Sequence, residues 1–293
     1  MSAMLSAGIC YALLTGACWC AIGIVLSCCA RKKLDVIGYS LLQNGLAAAA
    51  CFVCYAVPGK VVFNSGFYLL CAVILCAALL NAFAQYLVKR AMDDGHYAPV
   101  WAMAQAAMLF PFLCGVFFCG NNFSIINAAG LLLLFGGVVL PCHKGFTRPG
   151  SWLKSALAAL FCYGVLQSLY LLPSHVRELT DPGSMRPVLV CLGNFTGWGI
   201  LSLCRREKLH FNRSILYMAL VMTLLHTVSV KTFFHTLDAL GKAGAGGIGI
   251  PFMQGANLVF FGIYSLVFLR EKRTAENVIS ELLILGGLLC LIP

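Results

Sequence analysis

Ten apolar runs of about twenty residues each, separated by short polar islands, decide what this chain can fold into. They cover roughly 4–29, 36–57, 66–88, 97–119, 123–142, 152–172, 184–204, 214–238, 246–269 and 275–293. Twenty residues of helix cross about 30 Å of hydrocarbon. In lipid every backbone polar group must be satisfied within the protein, so such runs form helices. Almost nothing remains for a soluble domain. Only 10% of residues are charged and the mean hydropathy is +0.90; a soluble domain is nearer a quarter charged. The expected fold is an all-α membrane protein of ten transmembrane helices.

The net charge of +10 is a topology signal rather than a mark of nucleic-acid binding. With loops numbered in chain order, fifteen of the twenty Lys and Arg flank odd loops, among them Arg31–Lys33, Lys89, Arg90, Arg205 and Arg206. Even loops hold four: Lys60, Arg177, Arg186 and Lys242. Basic residues stay on the cytoplasmic side. Odd loops are therefore expected in the cytoplasm, both termini outside, and the chain multi-pass in the plasma (inner) membrane. The first run lacks a basic stretch before it and carries one after it, the pattern of a retained span rather than a cleaved signal peptide. The sixteen cysteines lie within or at the ends of apolar runs without histidines at zinc-site spacing. They read as small packing residues; no metal, cofactor or disulfide is expected.

The chain is also written twice. At an offset near 149, "QAAML" (Gln105–Leu109) meets "QGANL" (Gln254–Leu258) and Asn44 meets Asn194. At nearly the same offset Gly16 meets Gly164, and Gly136–Gly137 meet Gly286–Gly287. The halves are residues 1–143 and 144–293, five spans each. Five is odd, so the second half enters the membrane inverted. Loop charges agree: basic loop 1 answers to a nearly neutral loop 6, and "REKR" of loop 9 to "GNN" of loop 4. Inverted repeats are a recurrent build of secondary transporters, with the binding site near the midplane.

Two five-helix halves, together with "GIPFMQGANLVFFGIYSLVFLREKRT" and the Gly-rich last span, resemble the drug/metabolite transporter superfamily of the EamA-like ten-helix type. Pro251, Glu271 and Gly286–Gly287 carry that likeness. Asn121 and Asn122 depart from it, standing where Glu is expected, and span 2 lacks a basic residue that many members carry. The resemblance implies a metabolite permease with a central cavity lined by middle spans, with spans 5 and 10 peripheral.

Polar side chains at membrane depth face a cavity or another helix. Gln254 and Asn257 share one face of span 9, and Gln105 is the repeat mate of Gln254. They line a pathway for a polar solute or bond neighbouring helices. Because Asn257 faces Met108 in the repeat, the cavity is expected to be more polar on the second half. Asn81 and Gln85 form a four-residue pair on span 3. Asn44 and Asn194 are repeat mates, the latter between Gly193 and Gly197 at the spacing that lets helices approach. On span 8, Lys231, His235 and Asp238 form one stripe. His235 and Asp238 are coupling candidates, with Asp238 or a solute anion as partner to Lys231; alternatively Lys231 snorkels and Asp238 caps the span. His226 points to the opposite side from His235. Trp19 lines a cavity, stacks on a cation, or belongs to the interfacial belt. The Gly run at 241–251 lacks the spacing and the Lys-Ser/Thr ending of a phosphate loop.

The expected function is secondary transport of a small polar metabolite by alternating access, driven by an ion gradient or exchange, since no ATP-binding motif is present. The alternatives are a small-drug exporter of the same fold and an intramembrane enzyme or lipid-handling protein. No enzymatic signature is visible. The expected partners are a small-molecule substrate and the bilayer, and the Gly-Gly pairs of spans 5 and 10 are compatible with a homodimer.

Overall fold

The computed structural model describes residues 2–57, 65–94, 96–120, 124–147, 151–176, 179, 185–206, 209, 212–264, 267–268 and 275–291. Asn121, Asn122, Lys60, Arg148, Arg177, Lys208, Arg270, Glu271, Lys272 and Arg273 lie outside them. Every regular element among the described residues is helical. The helices are α1 (Ser2–Lys32), α2 (Val36–Cys51), α3 (Ser65–Met92), α4 (Tyr97–Gln105), α5 (Leu109–Phe117) and α6 (Ile125–Thr147). They continue with α7 (Ser151–Leu171), α8 (Arg186–Arg205), α9 (Arg213–Lys242), α10 (Gly246–Tyr264) and α11 (Ala275–Leu291).

Helix ends follow from local chemistry. The Asp35 carboxylate accepts from Gly38 N at 2.9 Å and caps α2, which lets α1 and α2 join over three residues. Asn212 caps α9 by accepting from Ile215 N at 2.8 Å. Eight stretches are long and apolar enough to cross a membrane, α4 and α5 together making one of them. α6 and α11 are apolar as well, over Ile125–Leu140 and Val278–Leu291. The chain is thus an all-helical, multi-pass membrane protein.

α1 packs on α9 and α10; α7 packs on α3, α4 and α5. α2 lies against α8 and α9, α3 against α8, and α6 against α11. Small residues permit the closest crossings. An added Cβ on Gly193 would stand 2.5 Å from Ala78 Cβ, and one on Gly197 2.7 Å from Ala82 Cβ, so two turns of α8 rest directly on two turns of α3. On the periphery, a Cβ on Gly287 would stand 2.6 Å from Gly130 O, and Ser280 Oγ donates to Gly137 O at 2.5 Å. One glycine of each Gly-Gly pair is therefore used to join α6 to α11 within the chain. Gly136 has nothing within 4 Å of its added Cβ. Gly193→Val and Gly197→Val are each expected to lower stability by about 1–3 kcal/mol through overpacking. Gly136→Ala should leave it unchanged, with melting of the detergent-solubilised protein as the readout.

Candidate functional site: a central polar cavity

Span 4 is not one helix. α4 stops at Gln105, a tight 3₁₀ turn follows over Ala106–Met108, and α5 resumes at Leu109. Pro111 explains the break, because it lacks the N–H that would bond the Ala107 carbonyl and its ring crowds that group. Discontinuous helices at membrane depth occur where they are buried in protein or line a cavity. Gln105 sits at this break. In α10, Pro251 likewise frees the Gly247 carbonyl, and Gln254 and Asn257 follow over the next two turns.

These three amides meet at one cavity of about 90 Å³, counted over positions the centre of a water molecule can take. One water needs about 10–15 Å³ on that measure, so there is room for a small solute. Its walls are Gln254 and Asn257 of α10, Trp101 and Gln105 of α4, Asn81 and Gln85 of α3, and Trp19 and Ile22 of α1. α7 adds Tyr163, Leu166, Gln167 and Tyr170; α9 adds His226, Val230 and Phe233; α8 adds Val190. No described residue of α6 or α11 contributes. α10 is held close by Gly16 of α1, where a Cβ would stand 2.7 Å from Met253 O. Trp101 is held by Gly23, where a Cβ would stand 2.6 Å from the indole.

The cavity wall carries polar atoms with no hydrogen-bond partner among the described residues. They are Gln254 Oε1, both side-chain atoms of Asn257, Gln167 Oε1, His226 Nε2, Tyr170 OH and Trp101 Nε1. Each belongs to a residue at most 8% exposed. An unpaired buried polar group costs about 1–3 kcal/mol. A bundle held together by such groups would pair them with one another. Here the residues that carry them all line one cavity instead, an arrangement in which small side-chain rotations offer these groups to a polar guest.

Gln254, Asn257, Gln105, Asn81, Gln85 and Trp19 are thus brought together. The remaining candidates are elsewhere. Asn194 accepts from Asn81 Nδ2 at 3.0 Å and joins α8 to α3. Asn44 donates to Ser40 O at 2.8 Å within its own helix. Lys231 lies 4.5 Å from the centre of the Tyr55 ring, and His235 is exposed with its ring 5.5 Å from that of Tyr11. Asp238 pairs with Arg186, not with Lys231, through Nη2–Oδ2 at 2.6 Å and Nη1–Oδ1 at 3.1 Å, while Ser174 Oγ donates to it at 2.7 Å. The reason is rotation. α9 turns His226, Val230 and Phe233 to the cavity, spaced four and three residues apart, and this places the stripe of Lys231 and His235 to one side. Gln167 was missed. It is the one amide in the run 152–172, and the argument that singles out Gln254 finds it too.

No family model matches the chain, and no curated protein matches it. Fourteen chains of solved structures do. One, described only as a crystal structure of a protein, aligns over 99% of this chain and 96% of its own length, with a TM-score of 0.69 at 15% identity. At that identity the likeness concerns fold alone, and it runs the full length of both chains.

Proposed function

We propose that this chain is a secondary transporter of a small polar metabolite, of the EamA-like drug/metabolite transporter type, working by alternating access from the central cavity. The observation that carries the reading is that residues with unpartnered buried amides, together with His226, line one cavity beside the broken helix at Gln105. In this reading ten spans form two inverted five-helix repeats, with both termini external and odd loops in the cytoplasm of a plasma-membrane protein. The packing supports that symmetry, since the most extensive helix contacts have mates when the halves are exchanged. α1 on α9 answers to α7 on α3, α1 on α10 to α7 on α4 and α5, and α2 on α9 to α8 on α3. A pair of interleaved halves offers two equivalent arrangements around a fixed site. The cavity wall, which among the described residues has amides, aromatics and one histidine but no carboxylate, favours a metabolite over a cationic drug.

The test is counterflow in proteoliposomes loaded with a pool of labelled metabolites. At least one polar solute should exchange, and Gln254→Ala should slow that exchange roughly tenfold, the equivalent of one hydrogen bond of about 1.4 kcal/mol. Exchange at the wild-type rate in a mutant with unchanged elution and melting would take Gln254 out of the site. A pool from which nothing moves would end the transport reading.

A further inference from the structure

The central cavity does not stop at Gln85 and His226. Both side chains also line a narrow second pocket of about 10 Å³, whose far wall is Gln43 and Asn44 of α2. Its volume is about that of a single water position. Gln43 is 6% exposed, and its Nε2 has no partner among the described residues. One step further along the same helices the protein opens into a third pocket of about 750 Å³. The wide and narrow pockets are stacked along the same three helices: α2 gives Val36 and Ile37 to the wide one and Gln43 and Asn44 to the narrow one, α9 gives Ile215 and Met222, and α3 gives Tyr86 and Gln85.

The wide pocket is basic. Lys33, Lys89, Arg90 and Arg205 face it, against Asp35 and Asp93. Lys89 is paired with Asp93 at 2.9 Å, and Asp35 caps α2. Lys33 and Arg90 have no carboxylate within ion-pair distance among the described residues. Cations at the ends of α1, α3 and α8 complement the helix dipoles and follow the rule for cytoplasmic flanks. Those effects account for basic residues at this end of the bundle. They do not account for a cleft that gathers four of them at the mouth of a line of buried amides. With four cations against two carboxylates the cleft carries a net positive charge, and such a cleft concentrates anions.

We infer that this basic pocket is an anion-binding mouth of the central cavity. The solute is then a small anion carrying a carboxylate or phosphate group, which passes the neck formed by Gln43, Asn44, Gln85 and His226. The inference rests on the transport reading for its direction into the cavity, while anion binding itself does not. A phospholipid headgroup offers the same chemistry, and the alignment of this pocket with the inner pockets along α2, α3 and α9 favours a solute.

The test is thermal melting of the full chain in neutral detergent, titrated at constant ionic strength with inorganic phosphate, with succinate, and with short-chain phosphatidylglycerol. Phosphate or succinate should raise the melting temperature at low millimolar concentration. In Arg90→Gln and in Lys33→Gln the concentration giving half the effect should rise roughly tenfold, as for loss of one charge-assisted contact. Because phosphate stabilises many proteins by exclusion, the difference between wild type and variants is the readout. Equal responses in wild type and both variants overturn the site. A response to phosphatidylglycerol alone overturns the solute in favour of a lipid headgroup. Anion binding with no solute moving in counterflow ends the transport reading and leaves the anion site standing. Exchange of a neutral solute without anion binding does the reverse.

Discussion

Asp238→Ala is expected to lower stability by about 3 kcal/mol, because it removes the carboxylate that two N–H groups of the largely buried Arg186 guanidinium are bonded to. Both oxygens of Asp238 are bonded to Arg186, and Ser174 adds a third bond. The guanidinium also lies 4.8 Å from the centre of the Phe234 ring. These contacts tie the start of α8 to the end of α9 and to the turn after α7. The two side chains are 11% and 30% exposed, which puts the cost at the lower end for a broken buried pair. Removing both charges should restore much of the loss, since apolar replacements of a buried pair are often neutral or stabilising. Arg186→Met with Asp238→Leu should therefore melt well above Asp238→Ala. A single variant that melts within about 0.5 kcal/mol of wild type, as an ordinary surface substitution does, would show that the pair holds nothing together.

The clasp also locates what closes the cavity. Phe234 packs on Phe233 with centroids 4.9 Å apart, and Tyr170 lies edge-on to Phe233 at 5.8 Å. Tyr170 and Phe233 belong to the cavity wall. From the amides toward this end, the path therefore meets an aromatic layer and then the ion pair. Toward the other end it meets the Gln43 neck and the basic pocket. The two ends are chemically unlike although the largest helix contacts come in matched pairs.

Helix positions were legible in the sequence because hydropathy over twenty residues reports length against a fixed membrane thickness. Rotation was not. In a membrane bundle the lipid-facing and protein-facing sides of a helix are both apolar, so periodicity carries little information about which side faces inward. Where amides occupy a single face of an otherwise apolar helix, as at Gln254, Gln105 and Gln85, that face borders the cavity. α9 has polar groups on several faces. There His226 borders the cavity while Lys231, His235 and Asp238 do not, and Asp238 pairs with Arg186, 52 residues away. Gly193 and Gly197 were legible for a different reason: their spacing is itself the contact, and Ala78 and Ala82 answer it on α3.

Asn257→Leu is expected to raise stability while abolishing solute recognition, and the two effects together separate a binding residue from a structural one. Asn257 is fully buried, and neither its Oδ1 nor its Nδ2 has a partner among the described residues. Leucine keeps its branched outline of four side-chain heavy atoms and has no polar atom to desolvate, and the cavity beside Asn257 leaves room for the bulkier methyl ends. Without solute, the exchange removes a penalty of about 1–3 kcal/mol, so the variant should melt higher than wild type. With solute, it removes both a donor and an acceptor, and exchange in proteoliposomes should fall by roughly a hundredfold or more. Interhelical glue would behave oppositely: loss of the amide would lower the melting temperature and leave solute specificity intact. A stabilised, inactive Asn257→Leu is the signature of polar groups kept unpaired in the bundle for the sake of a guest. A destabilised, active one would give the wall of α10 back to packing.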